Sequence, residues 1–179
     1  MNIVSKIVQN LIVFAFIVYA SASVSASFNY VLGAGDRILI SVYDEPDLKT
    51  EVKLDNSGMV SFPFLDDFYV IGLTAAEVEV IVNDGLEGDY LVNPQVSVSI
   101  IQYRPFFIHG EVKRPGGYAY QDYLRADKAI ALAGGLSARA SKSGWKIIRK
   151  VDGKTVTIKA DISTPILPDD IIRIEQSFF

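Results

Sequence analysis

The sequence predicts an α+β protein in which two β-rich modules follow a secretory signal. Two kinds of periodicity support this prediction. Several short segments alternate apolar with polar residues, as half-buried strands do, whereas two others repeat their apolar residues at helical spacing. Glycine, proline and aspartate stand between these segments, where tight turns favour them. We therefore expect short strands, about two helices and many turns.

The first 26 residues have the features of a signal peptide. Lys6 supplies a positive charge, residues 7–20 are almost entirely apolar, and small residues occupy positions 24–26. We expect cleavage after Ala26, which would leave a mature chain of 153 residues. The apolar run is shorter than the roughly 20 residues of a membrane span. An uncleaved N-terminal anchor is the alternative interpretation.

The composition argues against several classes of protein. The chain has no cysteine, which excludes disulfide scaffolds and thiolate metal sites. His109 is its single histidine, so a multi-histidine metal site is also excluded. Without Lys6, 16 basic residues face 21 acidic ones, a net charge of −5. Nucleic acid is therefore not an expected partner, because its phosphates require clustered Lys and Arg.

In the first module, apolar side chains alternate with polar ones at 37–42 and 96–100, which predicts two half-buried strands. Val60, Phe62 and Phe64 continue the pattern, although Pro63 places that strand at an edge or shortens it. Thr74 and Glu77 have the spacing of a capping box and predict the start of a helix. The apolar residues at helical spacing are Val78, Ile81, Val82 and Leu86. Gly85 and Gly88 weaken and end the helix.

A second module is predicted beyond a seam at residues 103–105. Its helix covers 126–133 and ends at Gly134 and Gly135, which accept the left-handed backbone. Asp152-Gly153 is the strongest hairpin signal in the chain. The predicted strands are 106–112, 118–120, 145–151, 154–158 and 171–175, with a tight turn at 114–117.

No segment predicts an active site. Gly33 and Gly35 precede a strand and lack the strand–turn–helix context of a phosphate-binding loop. Three adjacent acid pairs stand in predicted turns, where aspartate bonds its own backbone more readily than it serves glycan hydrolysis. They are Asp44-Glu45, Asp66-Asp67 and Asp169-Asp170. His109 is expected to face solvent or cap a strand edge, and we predict no catalytic residue, metal or cofactor.

Aromatic residues beside arginines are candidates for contact with a glycan. Sugars stack their apolar faces on aromatic rings, while polar neighbours hold the hydroxyl groups. Packing in a core or interface is the alternative use of the same side chains. The candidates are Tyr103, Arg104, Arg114, Tyr118 and Tyr120.

The order of the motifs resembles the polysaccharide biosynthesis/export family of bacterial cell envelopes. The motif segments are 32–40, 55–58, 72–77, 93–100, 108–118, 133–136 and 167–174. The family's export-domain motif falls on Gly33, Gly35, Asp36, Gly58, Pro63, Gly72, Thr74, Asn93 and Pro94. Its β-grasp motif falls on Gly110, Pro115, Gly116, Ala133, Gly134, Gly135 and Asp170. As turn and cap residues, these build the fold without marking a ligand site.

The resemblance implies a small β-rich export domain with one capped helix at 27–104 and a soluble ligand-binding β-grasp (SLBB) domain at 105–179. It also implies a non-enzymatic periplasmic subunit, within the periplasm or peripheral to the outer membrane. The implied partners are the polysaccharide, further copies in a homo-oligomeric ring, an outer-membrane β-barrel and an inner-membrane polysaccharide co-polymerase. A monomeric periplasmic glycan-binding module and a periplasmic glycan hydrolase are the alternatives.

Three departures from the family pattern stand out. Without cysteine, the chain cannot carry the N-terminal lipid that many longer members have. It stops at Phe178-Phe179, directly after the last predicted strand, and we expect it not to span the outer membrane by itself. Position 169 holds aspartate where the family usually has glycine.

Overall fold

The computed structural model of the chain describes residues 30–151 and 153–177. The predicted signal peptide, Asp152 of the predicted hairpin turn, and the two terminal phenylalanines lie outside these ranges. Within them the protein has ten strands and two helices. The predicted α+β class is confirmed.

The N-terminal part contains a three-stranded antiparallel sheet, a short two-stranded ribbon and one helix. The sheet has the order β2-β1-β5, and β3 pairs with β4. The elements are β1 (Arg37–Val42), β2 (Glu45–Lys53), β3 (Met59–Val60), β4 (Phe68–Tyr69), α1 (Ala75–Leu86) and β5 (Val96–Gln102).

The C-terminal part contains a five-stranded mixed sheet and one helix. The strand order is β7-β6-β10-β8-β9, in which β6 and β10 run parallel and the other pairs are antiparallel. The elements are β6 (Phe106–Gly110), β7 (Gly116–Tyr118), α2 (Ala126–Leu132), β8 (Trp145–Val151), β9 (Lys154–Ala160) and β10 (Ile171–Ile174).

The buried residues form two separate cores. In the first, Ile38 and Ile40 of β1 pack in one cluster with Val78 and Val82 of α1. In the second, the strands β6, β8 and β10 bury apolar side chains together with one face of α2. We call the parts of the chain around these cores the N-terminal and the C-terminal module. The predicted seam at 103–105 lies between them.

Helix α1 begins as its capping box predicts. Thr74 Oγ1 accepts the N–H of Glu77 at 3.2 Å, and Oε2 of Glu77 accepts the N–H of Thr74 at 2.7 Å. Val78, Val82 and Leu86 are buried four residues apart, but Ile81 is 37% exposed, so its assignment to the buried face was wrong. A three-residue step from Val78 turns away from the stripe that four-residue steps follow.

Several predicted strand boundaries differ from the structure. Strand β2 was not predicted, because Leu48 is its one buried residue and the rest of the segment lacks a clear apolar alternation. The strand predicted through Phe62 and Phe64 ends at Val60, and Phe64 lies in a turn with φ of 69°.

In the C-terminal module, Gly116 and Gly117 belong to β7 and not to the preceding turn. Strand β6 ends at Gly110, two residues earlier than predicted. Gly110 has φ of 89°, and a Cβ there would come within 2.0 Å of the carbonyl oxygen of Ile174. Only glycine accommodates both that conformation and that approach.

Candidate functional site at the seam between the modules

Arg104 lies in the connection between the two modules and binds the fully buried carboxylate of Asp36 in the N-terminal module. Its Nη1 donates to Oδ2 of Asp36 at 2.9 Å, and its backbone N–H donates to Oδ1 at 2.8 Å. The N–H of Gly33 and the hydroxyl of Tyr30 donate to the same carboxylate. The guanidinium carbon also lies 5.5 Å from the centre of the Tyr30 ring. A buried carboxylate with this many donors is fully compensated.

Glycine at position 33 makes room for this arginine. A Cβ on Gly33 would lie 1.8 Å from Nη1 of Arg104. Gly33 does not have a positive φ. Glycine is therefore needed at this position because a side chain would not fit, and not because of the backbone conformation. Gly35, by contrast, has φ of 101°, which favours glycine at the turn that brings Asp36 inward.

Asp169 contacts the same arginine from the C-terminal module. Its Oδ2 lies 2.8 Å from Nε of Arg104 in an ion pair without hydrogen-bond geometry. The side chain of Asp169 is 59% exposed. Even so, partial burial raises its pKa, because the opposing attraction of Arg104 is partly cancelled by the negative charge of Asp36. Asp36 is thus the stronger partner of Arg104. We call Asp36, Arg104 and Asp169 the Arg104 bridge.

The aspartate at position 169 also has an unusual backbone. Its φ is 67°, in the left-handed region that glycine adopts most readily. The corresponding position before Asp36 is Gly35, which likewise has a positive φ. The departure from glycine at 169 therefore introduces backbone strain together with a carboxylate that reaches Arg104.

Asp170 repeats the role of Asp36 in the C-terminal module. It is fully buried, accepts the N–H of Leu167 three residues earlier, and precedes a strand. Arg149 donates to both of its oxygens, from Nε at 2.8 Å and from Nη2 at 2.6 Å. Each module therefore anchors the turn before one strand with a buried aspartate and an arginine.

An aromatic cleft of about 470 Å³ opens beside the Arg104 bridge. Tyr103 packs edge-to-face on Tyr30, with ring centres 4.9 Å apart, and on Tyr120 at 5.2 Å. Burial raises the pKa of all three hydroxyls. We call this space the seam cleft; its lining is Tyr30, Tyr103, Tyr120, Asp122, Tyr123, Leu124, Arg125, Pro165, Ile166 and Leu167.

The structure separates the five predicted glycan contacts. Tyr103 and Tyr120 line the seam cleft, whereas the side chain of Arg104 is engaged in the bridge. Tyr118 and Arg114 are not part of the cleft lining. The Tyr118 hydroxyl donates a hydrogen bond to the backbone carbonyl oxygen of Arg114. Nη2 of Arg114 donates to the backbone carbonyl oxygen of Leu132 in α2 at 3.2 Å.

The remaining motif residues lie in turns and caps. Thr74 caps α1, and Asn93 has φ of 54° before β5. Pro63, Pro94 and Pro115 lie outside the strands. The glycines with positive φ are Gly35, Gly58, Gly72, Gly110, Gly116, Gly134 and Gly135, besides others outside the motifs.

The acid pairs do not combine into a hydrolytic site at the seam. Asp170 and Asp36 have no exposed surface, so neither can reach a sugar. Asp66 and Asp67 are exposed before β4, while Asp44 lies in a turn with φ of 63°. His109 is exposed at the end of β6, as expected. In the described ranges, no group of three acidic or histidine side chains is placed to hold a metal.

Sequence reasoning missed two tyrosines at the seam. Tyr30 precedes the first strand, and its contacts with Asp36 and Tyr103 depend on the folded turn. Tyr123 is one of several aromatics that stand near an arginine in the sequence, and it was not chosen among the candidate glycan contacts. Its φ of 58° and 86% exposure distinguish it from a core residue. The adjacent Asp122 and Arg125 were the available signal, because they suggest a polar surface.

Comparison with known proteins agrees with this architecture. The family described as polysaccharide biosynthesis/export protein matches residues 24–101. The SLBB domain family matches residues 105–159. The two matches follow each other along most of the chain. The chain belongs to the polysaccharide biosynthesis/export family.

Two curated proteins illustrate the relationship. The exopolysaccharide production protein ExoF of Rhizobium meliloti (strain 1021) is 30% identical over 142 residues, or 73% of this chain and 33% of that protein. The EPS I polysaccharide export outer membrane protein EpsA of Ralstonia nicotianae (strain ATCC BAA-1114 / GMI1000) is 25% identical over 82% of this chain and 47% of that protein. The chain thus spans a third to about half of these relatives. Neither helix in the described ranges is long and apolar enough to cross a membrane.

Proposed function

We propose that this chain is a periplasmic, non-enzymatic component of an exopolysaccharide or capsule export machine. It would form or adapt a conduit that leads the polysaccharide toward an outer-membrane pore. The observation that supports this best is the presence of both family domains, in family order, on one chain. The names of the two relatives, one concerned with exopolysaccharide production and one with export, point the same way.

The conduit part of the proposal requires several copies of the chain. One small subunit cannot enclose a glycan-wide channel, whereas a head-to-tail interface that closes on itself can. Exposed apolar side chains of the N-terminal module support such a contact. The rings of Phe64 and Tyr90 stack 5.1 Å apart at the surface, and nearby in sequence Val92 is 96% exposed. An outer-membrane β-barrel and an inner-membrane co-polymerase would complete the path.

A monomeric periplasmic glycan-binding module is the second candidate. The seam cleft favours it, because tyrosines line a space of ligand size within a single copy of the chain. It would share the fold and the family and lack the self-contact.

Deletion of the gene in the strain that encodes the chain tests the export role. We expect the polysaccharide to disappear from the medium and cell surface and to accumulate in the periplasm. Expression of the chain from a plasmid should restore export. Unchanged secretion would overturn the proposal, as would loss of polymer from every compartment, which would indicate a role in synthesis.

Light scattering of the mature chain, from Ser27 onward, tests the self-contact. We expect a mass that is a multiple of the monomer and falls in Val92→Asp. Ile162→Asp is the matched control, since Ile162 is 60% exposed on the C-terminal module. A monomer in solution that also gives no self-crosslinks in intact cells would overturn the ring and favour the glycan-binding module.

A further inference from the structure

The seam cleft has the dimensions and rigidity of a ligand site. Its volume of about 470 Å³ falls within the range of about 300–1,000 Å³ of small-molecule pockets. Two edge-to-face contacts hold Tyr103 between Tyr30 and Tyr120. The hydroxyl of Tyr30 is in turn bound to the buried Asp36. These rings are therefore pre-organised, and a ligand would lose little affinity to their ordering.

Tyr123 lies at the mouth of this cleft in a strained conformation. The side chain is 86% exposed although the φ of the residue is 58°. The next residue, Leu124, is 3% exposed, and its carbonyl oxygen accepts the N–H of Ile166 at 2.9 Å, which fixes the backbone. An exposed ring contributes little to folding, and a left-handed tyrosine costs free energy. The combination points to a ring that contacts something outside the protein.

We infer that the seam cleft binds a neutral sugar unit of the polysaccharide, with its apolar face against Tyr123 and the wall formed by Tyr103 and Tyr120. This inference rests on the proposed function and specifies its ligand. A sugar ring carries hydroxyl groups around an apolar face. Tyrosine matches it with an apolar body and a polar tip. A purely apolar ligand would leave the polar groups at the mouth of the cleft without partners.

The charges around the cleft select against an acidic sugar. Asp122 is exposed at the mouth and has no ion-pair partner among the residues that the structure describes. Arg125 beside it is already paired with Asp127, with Nη2 2.9 Å from Oδ2. After burial, interaction with the Asp122 carboxylate, by hydrogen bonding and by charge, raises the pKa of the Tyr103 hydroxyl. After burial, the charge of Asp122 also raises the pKa of the Tyr120 hydroxyl. The uncompensated charge is negative and would repel a carboxylate on the sugar.

The test uses fragments of the exopolysaccharide purified from the strain that encodes the chain, obtained by partial acid hydrolysis. Amide NMR shifts of the mature chain report binding and its location. We expect shifts around residues 120–125 and 165–167, and an affinity that falls about tenfold or more in Tyr123→Ala, or about 1.4 kcal/mol. Tyr43→Ala is the matched control, since Tyr43 is 77% exposed and lies outside the cleft.

The preference for a neutral sugar is tested with chemically modified fragments. Oxidation of the primary hydroxyls of the same fragments to carboxylates should weaken binding, and Asp122→Asn should reduce that discrimination. Absence of shifts at the cleft with the unmodified fragments would overturn the site. Equal loss of affinity in Tyr43→Ala and Tyr123→Ala would do the same. Tighter binding of the oxidised fragments, or binding of natural fragments that are acidic, would overturn the preference for a neutral sugar.

The two proposals fail separately. Export lost on gene deletion together with no binding at the cleft would remove the sugar site and leave the export role in place. Normal export after deletion would remove the export role, whatever the fragments bind.

Discussion

Arg104 and Asp36, which are 68 positions apart in the chain, are joined by both the backbone and the side chain of the arginine. Asp36 lies in the turn before the first strand of the N-terminal module, and Arg104 lies in the short connection that leads to the C-terminal module. Because the backbone contact fixes where this connection begins, the pair sets the direction in which the chain leaves the first module. The seam cleft is built on that connection through Tyr103.

Removal of the Asp36 charge should destabilise the protein severely. Asp36→Asn leaves Arg104, whose side chain is 16% exposed, without its main counterion. Breaking a buried ion pair from one side costs about 3–5 kcal/mol. Urea unfolding would measure the loss. Glu51→Gln is the control, because the Arg37–Glu51 pair is exposed and such pairs contribute about 0–1 kcal/mol. Similar losses in both variants would contradict a special role for Asp36.

Gly33→Ala should destabilise the protein through Arg104. The new methyl group would lie 1.8 Å from Nη1, and overpacking of this kind costs about 1–3 kcal/mol. In an Arg104→Ala background the same substitution should cost little, since the clashing atoms are gone. A double-mutant cycle from urea unfolding measures this coupling.

Gly72→Ala is the control for that cycle. Gly72 has φ of 86°, and apart from Gly72 and its two neighbours in the chain, no described residue has an atom within 4 Å of the point that a Cβ would occupy. Its cost should therefore come from backbone strain and stay the same with or without Arg104. An additive cycle for Gly33→Ala would show that its methyl group does not act on the arginine.

Asp169→Gly should leave the stability unchanged or raise it by up to about 1 kcal/mol, because glycine adopts a positive φ without strain. Asp169→Ala loses the contact with Arg104 and keeps the strain, so it should be less stable than the glycine variant. Thermal and urea unfolding of the three proteins would measure both differences. A glycine variant less stable than the native chain would mean that the Arg104 contact outweighs the strain, and equal stability of the two variants would show that the backbone at position 169 is not strained.

The pH dependence of stability should show the raised pKa of Asp169. Its ordinary value is 3.8, and burial raises the pKa in the folded protein. The folded protein then binds this proton more tightly than the unfolded chain does, so the ionised group is unfavourable at neutral pH. The penalty should be small, because the side chain is 59% exposed and solvent screens its charge, and it should disappear as the pH falls through the folded pKa toward the ordinary value.

The measurement is the difference in free energy of unfolding between the native chain and Asp169→Asn, from about pH 7 to about pH 4. The native chain should gain relative to the variant as the pH falls. A relative loss on acidification would mean that the ion pair with Arg104 dominates over burial.

Most turns, helix caps and strands of this chain could be predicted from the sequence. The capping box of α1, the glycines after α2 and the two strands that flank Gly153 depend on residues a few positions apart, and the structure has them close to where they were expected. Strand β9 continues to Ala160, two residues beyond its predicted end. Strand β2 was missed because it is an edge strand with a single buried side chain. At an edge, pairing with a neighbour and not an apolar pattern decides the structure.

The burial of Asp36 and Asp170 could not be predicted from their neighbours in the sequence. Each was expected in a turn before a strand, and each lies there. Their burial was not expected, because it depends on which arginine reaches them, and Arg149 approaches Asp170 from β8. A turn aspartate and a buried, ion-paired aspartate have the same local sequence, and only the distant partner distinguishes them.

From the sequence alone follow the family, the α+β class and most of the local elements, since these depend on spacings of two to four residues along the chain. The tertiary structure alone decides that Arg104 serves both modules, that Tyr30 and Tyr103 pack together, and that Tyr123 stays exposed at the mouth of a cleft. Those relationships arise when two separately built cores pack side by side. No periodicity within either segment encodes the contacts that form between them.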